Sequence, residues 1–382
     1  LNLIEGIKMF NFSPVRRLTR LTSVALAVIV LSAAMSVNAD DFQISPMTSM
    51  ALDESKTVSR IAFGSCAVST NSQEIFTTIK NTDSDLFLFI GDNVYAKTEK
   101  DDPELKSLRA SYKQLSESKP FQQLRDTTPL LVTWDDHDYG INDGGGNWDH
   151  KYFSQRLYNH VWGIAKDDPR TNRDGVYFSK ITGEVGKKVQ FILLDTRFFR
   201  SDLQVAVPPR LNGRYAMSDA KNQQMLGEAQ WTWLEQELNK PADVRIIATS
   251  IQVIADGHNW EAWRTLPKER NRFYKLLTDT QANGVVLISG DRHASAIYRQ
   301  TEQVPYPLWE VTASSLNLPL TQILKKDPEH EAGPFRVGVP FYESSFGIIE
   351  VDWDKRKLML QIRDEHDRVV MANTVRIADL KP

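Results

Sequence analysis

Three apolar runs of this chain stop at residues able to hold metal ions. Asp85-Leu86-Phe87-Leu88-Phe89-Ile90 stops at Gly91-Asp92. The run 129–134 stops at Asp135-Asp136-His137-Asp138, and 284–289 stops at Gly290-Asp291-Arg292-His293. Carboxylate and imidazole are ligands of hard and borderline cations. Taken singly, a Gly-Asp after a strand is an ordinary turn, and four polar residues in a row are an ordinary solvated loop. Three such ends together point to one site, because strands of an open α/β sheet bring their carboxyl ends to one crevice. The glycines before Asp92 and Asp291 let the backbone turn sharply there. Chemistry suited to such a cluster is metal-assisted hydrolysis.

The first residues bear on the compartment. Arg16, Arg17 and Arg20 flank an apolar stretch over 21–34, and Val37-Asn38-Ala39 precedes Asp40-Asp41. This is the layout of a cleaved secretory signal peptide over 1–39, with Met9 as an alternative start and residues 1–8 upstream of it. A membrane anchor is the competing reading, but it needs about 20 apolar residues where about 14 are present. Arg16-Arg17 also raises a twin-arginine route, although Leu18-Thr19-Arg20 fit that signal poorly. The protein is expected to be exported, periplasmic or secreted, and no later apolar run is long enough for a transmembrane helix. Net charge is −3, and the leader's Glu5, Lys8, Arg16, Arg17 and Arg20 leave −6 on the remainder. No overall basic bias points to nucleic acid. Cys66 is the sole cysteine, so no internal disulfide can form. A lone thiol in an oxidising compartment calls for deep burial, or for a metal that holds it as thiolate.

These residues need a scaffold. Apolar runs predict strands over 60–66, 85–90, 129–134, 244–251 and 284–289, the last four continuous enough to be buried on both faces. Segments 176–182 and 188–195 read as a hairpin. Helical patterns cover 74–80, parts of 103–126, 151–163, 226–238 and 267–279. Strands over 307–316, 347–353 and 357–363 make the C-terminal part antiparallel. Early alternation of strand and helix, followed by hairpins, predicts an α/β fold of two packed mixed sheets with helices outside. No repeat or convincing linker divides 40–382, which is expected to be one domain.

Five pieces carry a resemblance: Phe63-Gly64-Ser65-Cys66, Gly91-Asp92-Asn93-Val94-Tyr95, Thr133-Trp134-Asp135-Asp136-His137-Asp138, Leu226-Gly227-Glu228-Ala229-Gln230 with Trp233-Leu234, and Gly290-Asp291-Arg292-His293. In this order they resemble the PhoD-like alkaline phosphatases and phosphodiesterases, a branch of the calcineurin-like metallophosphoesterases. The resemblance implies a four-layer αββα sandwich of two mixed β-sheets flanked by helices, with metals at its edge. It implies Fe3+ and Ca2+ as cofactors, other divalent metals being possible. Cys66 stands where relatives outside this branch place an Asp-x-His pair. Carried onto this chain, Cys66, Asp92, Tyr95 and His293 would hold iron, and Asp92 would bridge to a second metal shared with Asp136 and Asp291. Thiolate and phenolate both donate charge, which favours Fe3+ over Fe2+. The alternatives are a buried apolar thiol for Cys66 and an aromatic packed near the turn for Tyr95.

The implied activity is hydrolysis of phosphate monoesters, diesters or both, by a metal-activated hydroxide. His137 resembles the superfamily's motif histidine, which stabilises the transition state or protonates the leaving oxygen. Its alternative role is to fix the loop by hydrogen bonding. Asn142 stands where relatives carry asparagine and is expected to touch the second metal or the phosphate. Arg292 is the other substrate-binding candidate, although strand alternation could equally aim it away. Gly144-Gly145-Gly146 lacks the Gly-Lys-Ser/Thr of a P-loop and is expected to let the loop turn near the metals. His258 lies too far beyond its strand to be assigned to metal. Trp260 and Trp263 either wall a cleft or pack, and Asp195 is expected to cap a turn. The chain is expected to be a monomer whose partner is a small phosphate ester, with no nucleic acid and no stable membrane insertion once the leader is removed. Competing readings are a phospholipase D-like phosphodiesterase on the same fold, a non-catalytic exported binding protein with a degenerate site, and a hydrolase using Ser65 or Cys66 as nucleophile. No nucleophile elbow supports the last.

Overall fold

The apolar runs pair into two mixed sheets. The computed structural model describes residues 42–97, 102–210, 212–324 and 333–382. Strands and helices are numbered along the chain. In the first sheet β1 (Arg60–Gly64), β2 (Leu86–Ile90) and β3 (Leu130–Thr133) are parallel neighbours. Beyond β1 the sheet continues antiparallel through β13 (Ser345–Asp352), β14 (Lys357–Asp364) and β15 (Val369–Arg376). The second sheet centres on four parallel strands, β5 (Val189–Leu193), β8 (Val244–Ala248), β9 (Val285–Ser289) and β11 (Leu308–Thr312). Antiparallel strands complete it, with β4 (Phe178–Thr182) beside β5, and β10 (Ser295–Gln300) then β12 (Arg336–Phe341) beyond β11. A separate ribbon pairs β6 (Val205–Arg210) with β7 (Gly213–Tyr215). The helices are α1 (Glu74–Lys80), α2 (Lys106–Ser116), α3 (Lys119–Thr127), α4 (Asp136–Tyr139), α5 (Lys151–Val161), α6 (Gly227–Leu238), α7 (Pro267–Asp279) and α8 (Leu320–Leu324).

Strand β2 shows how the layers stack. All five of its residues are buried, and successive side chains point to opposite faces. Leu86, Leu88 and Ile90 join the core between the sheets, with Phe63 of β1, Ile246 of β8 and Leu287 of β9. Phe87 and Phe89 turn the other way, onto Phe76 of α1, and Phe89 also meets Phe121 of α3 and Trp162 just beyond α5. Leu234 and Leu238 of α6, with Phe273 and Leu277 of α7, pack against the second sheet. The result is helices, sheet, sheet, helices: the four-layer αββα arrangement.

Several boundaries differ from the sequence reading. β8 ends at Ala248 and β11 at Thr312, because Ser250 and Ser314 leave the ladders to bond side chains of the site. Asp135-Asp136-His137-Asp138 is not a solvated loop: Asp136–Tyr139 form a one-turn helix closed by a capping box between Asp135 and Asp138. Strands β12 and β15 carry no buried run that would announce them. Residues Phe42–Pro382 form one compact unit. The expected leader over 1–39 lies outside the described residues. No described helix is long and apolar enough to cross a membrane.

Candidate metal centre

The parallel strands deliver their carboxyl ends to one edge of the sandwich. From the first sheet, β1 leads to Cys66, β2 to Asp92, and β3 to Asp136 and His137. From the second, β5 leads to Arg197, β8 to Ser250, β9 to Asp291 and His293, and β11 to Ser314. Contacts join the two groups. Cys66 Sγ lies 3.1 Å from Ser314 Oγ, and Asp135 Oδ1 accepts from Arg197 Nε at 2.6 Å and from Ser250 Oγ at 2.5 Å.

Two sets of ligand-type side chains share Asp92. Ligand atoms of Cys66, Asp92 and His293 lie within 4.8 Å of one another, and so do those of Asp92, Asp136 and His137. Asp92 turns one oxygen to each set. Its Oδ2 accepts from the Tyr95 hydroxyl at 2.7 Å and lies 3.6 Å from Cys66 Sγ. Its Oδ1 accepts the His137 backbone N–H at 3.3 Å. Tyr95 Oη is 3.3 Å from His293 Nε2. His293 Nδ1 lies 2.7 Å from the Leu318 carbonyl, so Nδ1 carries the proton and Nε2 turns its lone pair to the cluster. Cys66, Asp92 and Asp136 are buried, whereas Tyr95, His137 and His293 are partly exposed, which gives the centre a floor and a mouth.

The backbone there is strained. Cys66, Asp92, Asp291 and His293 all adopt left-handed conformations, with φ of 61°, 50°, 67° and 54°. Each costs about 1–2 kcal/mol for a residue with a side chain, and such strain gathers at functional sites whose surroundings enforce it. Asp138 is one enforcer. Its carboxylate accepts the N–H groups of Asp92 at 3.2 Å, Asn93 at 3.3 Å and Asp135 at 2.6 Å, locking the ends of β2 and β3 together.

The cluster holds more negative charge than its surroundings neutralise. Burial, then the charges of Asp136 and Cys66, push the Asp92 carboxyl well above the usual carboxylate range. Burial, then Asp135, do the same to Asp291, with Arg292 opposing. Burial pushes the Cys66 thiol up to about 11, and burial, then Asp92, raise Tyr95. Burial draws His293 down to about 4. Asp136 is the exception: burial opposes ionisation, but His137 and Arg197 hold it below the usual range.

The remaining sequence candidates are placed less centrally. Asp291 falls outside both ligand sets, although its charge reaches Cys66. Asn142 is exposed and donates to Asp143 Oδ2 at 2.8 Å. Arg292 is partly exposed, and its charge acts on Asp291, His293 and His258. His258 is buried with both nitrogens spent, Nε2 on Gln252 at 2.9 Å and Nδ1 on the Trp260 N–H at 3.1 Å. Trp263 is buried and Trp260 is 45% exposed. Asp195 Oδ1 accepts the N–H groups of Arg197 and Phe198 at 2.9 Å, so it caps the turn after β5. The sequence reading missed a buried ionic network under the centre. Arg197 Nη1 donates to Glu261 at 2.6 Å, and Arg200 Nε lies 2.9 Å from the same carboxylate. Glu261 also belongs to a third acidic set with Asp136 and Asp143, but these arginines already neutralise it. Arg197 follows an apolar run just as Asp92 and Asp291 do, and that position was the available signal.

The family model for PhoD-like phosphatases matches residues 61–361. No curated protein matches this chain. A structure of PhoD is similar at 18% identity, covering 86% of this chain and 70% of that one, with a TM-score of 0.64. A candidate 5'-nucleotidase from Staphylococcus aureus, solved with α-ketoglutarate, covers 84% of this chain and 54% of its own at 12% identity, with a TM-score of 0.37. The PhoD likeness bears on the fold, and the family match spans most of the chain, including every strand that leads into the cluster. This chain belongs to the PhoD-like phosphatase family.

Proposed function

We propose that this protein is an exported, metal-dependent phosphoesterase acting on small phosphate monoesters, diesters or both at a two-metal centre. The observation that carries the reading is the shared carboxylate, because Asp92 belongs to both ligand sets. The donors suit cations: a thiol, a phenol, imidazoles and several carboxylates meet in one place with excess negative charge. Asp136 Oδ1 is buried with no hydrogen-bond partner among the described residues, a vacancy in its bonding that a cation would fill. Cys66, Asp92, Tyr95 and His293 would hold Fe3+, while Asp92 and Asp136, with Asp291 close by, would hold a second cation such as Ca2+. Such a pair supplies charge stabilisation to phosphoryl oxygens and a water acidic enough to attack at neutral pH.

The chain's own groups do the rest. His137 stands at the mouth, its ring 4.2 Å from that of Tyr95, where its imidazole can protonate a leaving oxygen. Side-chain nucleophiles fit poorly. Without a metal, burial raises the Cys66 thiol to about 11, and with one its sulfur would be spent as a ligand. The Ser65 hydroxyl lies against Cys66 Sγ and the Ala313 carbonyl, with no imidazole partner among the described residues.

The test combines elemental analysis and an absorption spectrum with rates on p-nitrophenyl phosphate and its bis-ester, for the wild type and Cys66→Ala. Near-stoichiometric iron, a visible charge-transfer band altered in the variant, and activity lost to chelators are expected. A protein without metal that stays inactive after iron and calcium are added would be a binding module. Full activity in chelator would point to a side-chain nucleophile. Sequencing the N-terminus of exported protein tests the leader, with Asp40 expected first.

A further inference from the structure

Beside the two ligand sets, one carboxylate oxygen gathers three donors. The Asp143 N–H donates to Asp136 Oδ2 at 2.6 Å, which ties this residue directly to the centre. Its Oδ2 accepts from Asn142 Nδ2 at 2.8 Å, from the Tyr215 hydroxyl at 2.6 Å, and from Arg214 Nη2. Arg214 lies 71 residues further along the chain and arrives on β7. The ribbon that carries it is fastened to the loop containing Glu261. The Tyr215 N–H donates to the Asn259 carbonyl at 2.8 Å, and the Asn259 N–H donates to the Asn212 carbonyl at 2.6 Å. Gly213, with φ of 121°, lies so close to the Asn259 and Trp260 backbone that any Cβ would overlap it. The fold, rather than a flexible stem, therefore dictates where Arg214 stands.

Stability does not account for this construction, since an exposed ion pair contributes at most about 1 kcal/mol. The Arg214 side chain is 52% exposed. Its Nε is spent on the Tyr215 hydroxyl at 3.0 Å and its Nη2 on Asp143, leaving Nη1 without a partner among the described residues. Asn142, exposed beside it, offers a further amide hydrogen. Guanidinium is suited to phosphate oxygens by its planar array of donors. We infer that Arg214 and Asn142, aligned by Asp143, bind the substrate phosphate at the mouth of the centre, and that Arg214 biases the enzyme toward monoesters over diesters. The inference rests on the phosphoesterase reading above. A monoester carries nearly two negative charges above its second pKa of about 6, whereas a diester carries one. A cation at a given distance attracts the first twice as strongly.

The experiment compares the wild type with Arg214→Gln, Arg214→Lys and Tyr215→Phe at pH 8. It measures kinetics on p-nitrophenyl phosphate and its bis-ester, equilibrium binding of inorganic phosphate by calorimetry, and metal content. Arg214→Gln is expected to keep its metals and to raise KM for the monoester about tenfold, the loss of one charge-assisted hydrogen bond. Phosphate binding should weaken by the same factor, with the diester affected far less. Arg214→Lys, which keeps charge but not the fork, should fall between. Tyr215→Phe loosens Asp143 but leaves the cation, so it should keep the monoester preference. Equal losses on both esters with unchanged phosphate affinity would make Arg214 a structural strut, and no change at all would also overturn the inference. A wild type that lacks metal and cleaves neither ester would instead sink the phosphoesterase reading itself.

Discussion

Because Asp92 turns Oδ2 toward Cys66 and Tyr95 and Oδ1 toward His137, its loss and the loss of Cys66 have different expected consequences. Cys66→Ala removes a donor from one set only, so elemental analysis should find about one metal fewer per chain. Asp92→Asn removes the anion common to both sets and should empty both. Identical stoichiometry in the two variants would contradict a shared carboxylate. Legibility at this scale follows from how each residue is presented. Cys66, Asp92, Asp136 and His293 each stand just past an apolar run, so residue type and position are visible together in the sequence. Arg214 is not visible in that way. It sits on the three-residue strand β7 between buried Gly213 and Tyr215, with no apolar run to announce it, and its partner Asp143 is 71 positions away. The sequence pointed to Asn142, next to Asp143, but only folding shows that Asn142 and Arg214 meet on one oxygen.

Among the elements, strands buried on both faces were the readable ones: β2 and most of β9 are continuous apolar runs, and β5 and β8 are apolar apart from Gln190 and Arg245. β12 and β15 are edge strands with much of their length exposed, and an edge strand needs no apolar run. Register is likewise invisible in one dimension. Gly347 of β13 pairs with Phe63 of β1, and a methyl group at 347 would overlap the Phe63 ring. Gly347→Ala is expected to lower the unfolding free energy by about 1–3 kcal/mol through overpacking. Gly333→Ala, whose nearest neighbour would be 3.7 Å away, should be near neutral in the same urea titration. A second expectation concerns the loop between β8 and α7. Burial, with Arg292 and Arg264, holds His258 well below the usual 6.5. The unfolded chain therefore takes up this proton first, so the stability His258 contributes is full above pH 6.5 and is lost as pH falls toward its folded pKa. The difference in Tm between wild type and His258→Gln should narrow from pH 7.5 to pH 5. Parallel curves would mean that His258 takes up its proton equally in the folded and unfolded states.

Taken as a whole, the molecule gathers the ends of seven parallel strands around one acidic centre, which would tie metal binding to folding. Burial, reinforced by neighbouring carboxylates, raises Asp92 and Asp291 well above the ordinary 3.8, and burial raises Asp135 to about 7 although Arg197 opposes it. An acid raised in this way binds its proton more tightly folded than unfolded. The stability it lends is full below about pH 3.8 and is lost as pH rises through the folded value. Asp136, held low, titrates below this window and does not reverse the sign. Below pH 6.5 the depressed His258 and His293 work in the opposite direction, so metal-free protein should lose stability between about pH 6.5 and pH 8. Cations compete with those protons for the same oxygens, so their affinity grows as the carboxyls ionise, and binding to the folded state alone adds directly to stability. The gap in Tm between metal-loaded and chelator-treated protein is expected to widen as pH rises across that range, in scanning fluorimetry at fixed free metal. A gap that stays constant would place the metals somewhere other than among these carboxylates, because only ligands that exchange protons for cations can make it grow.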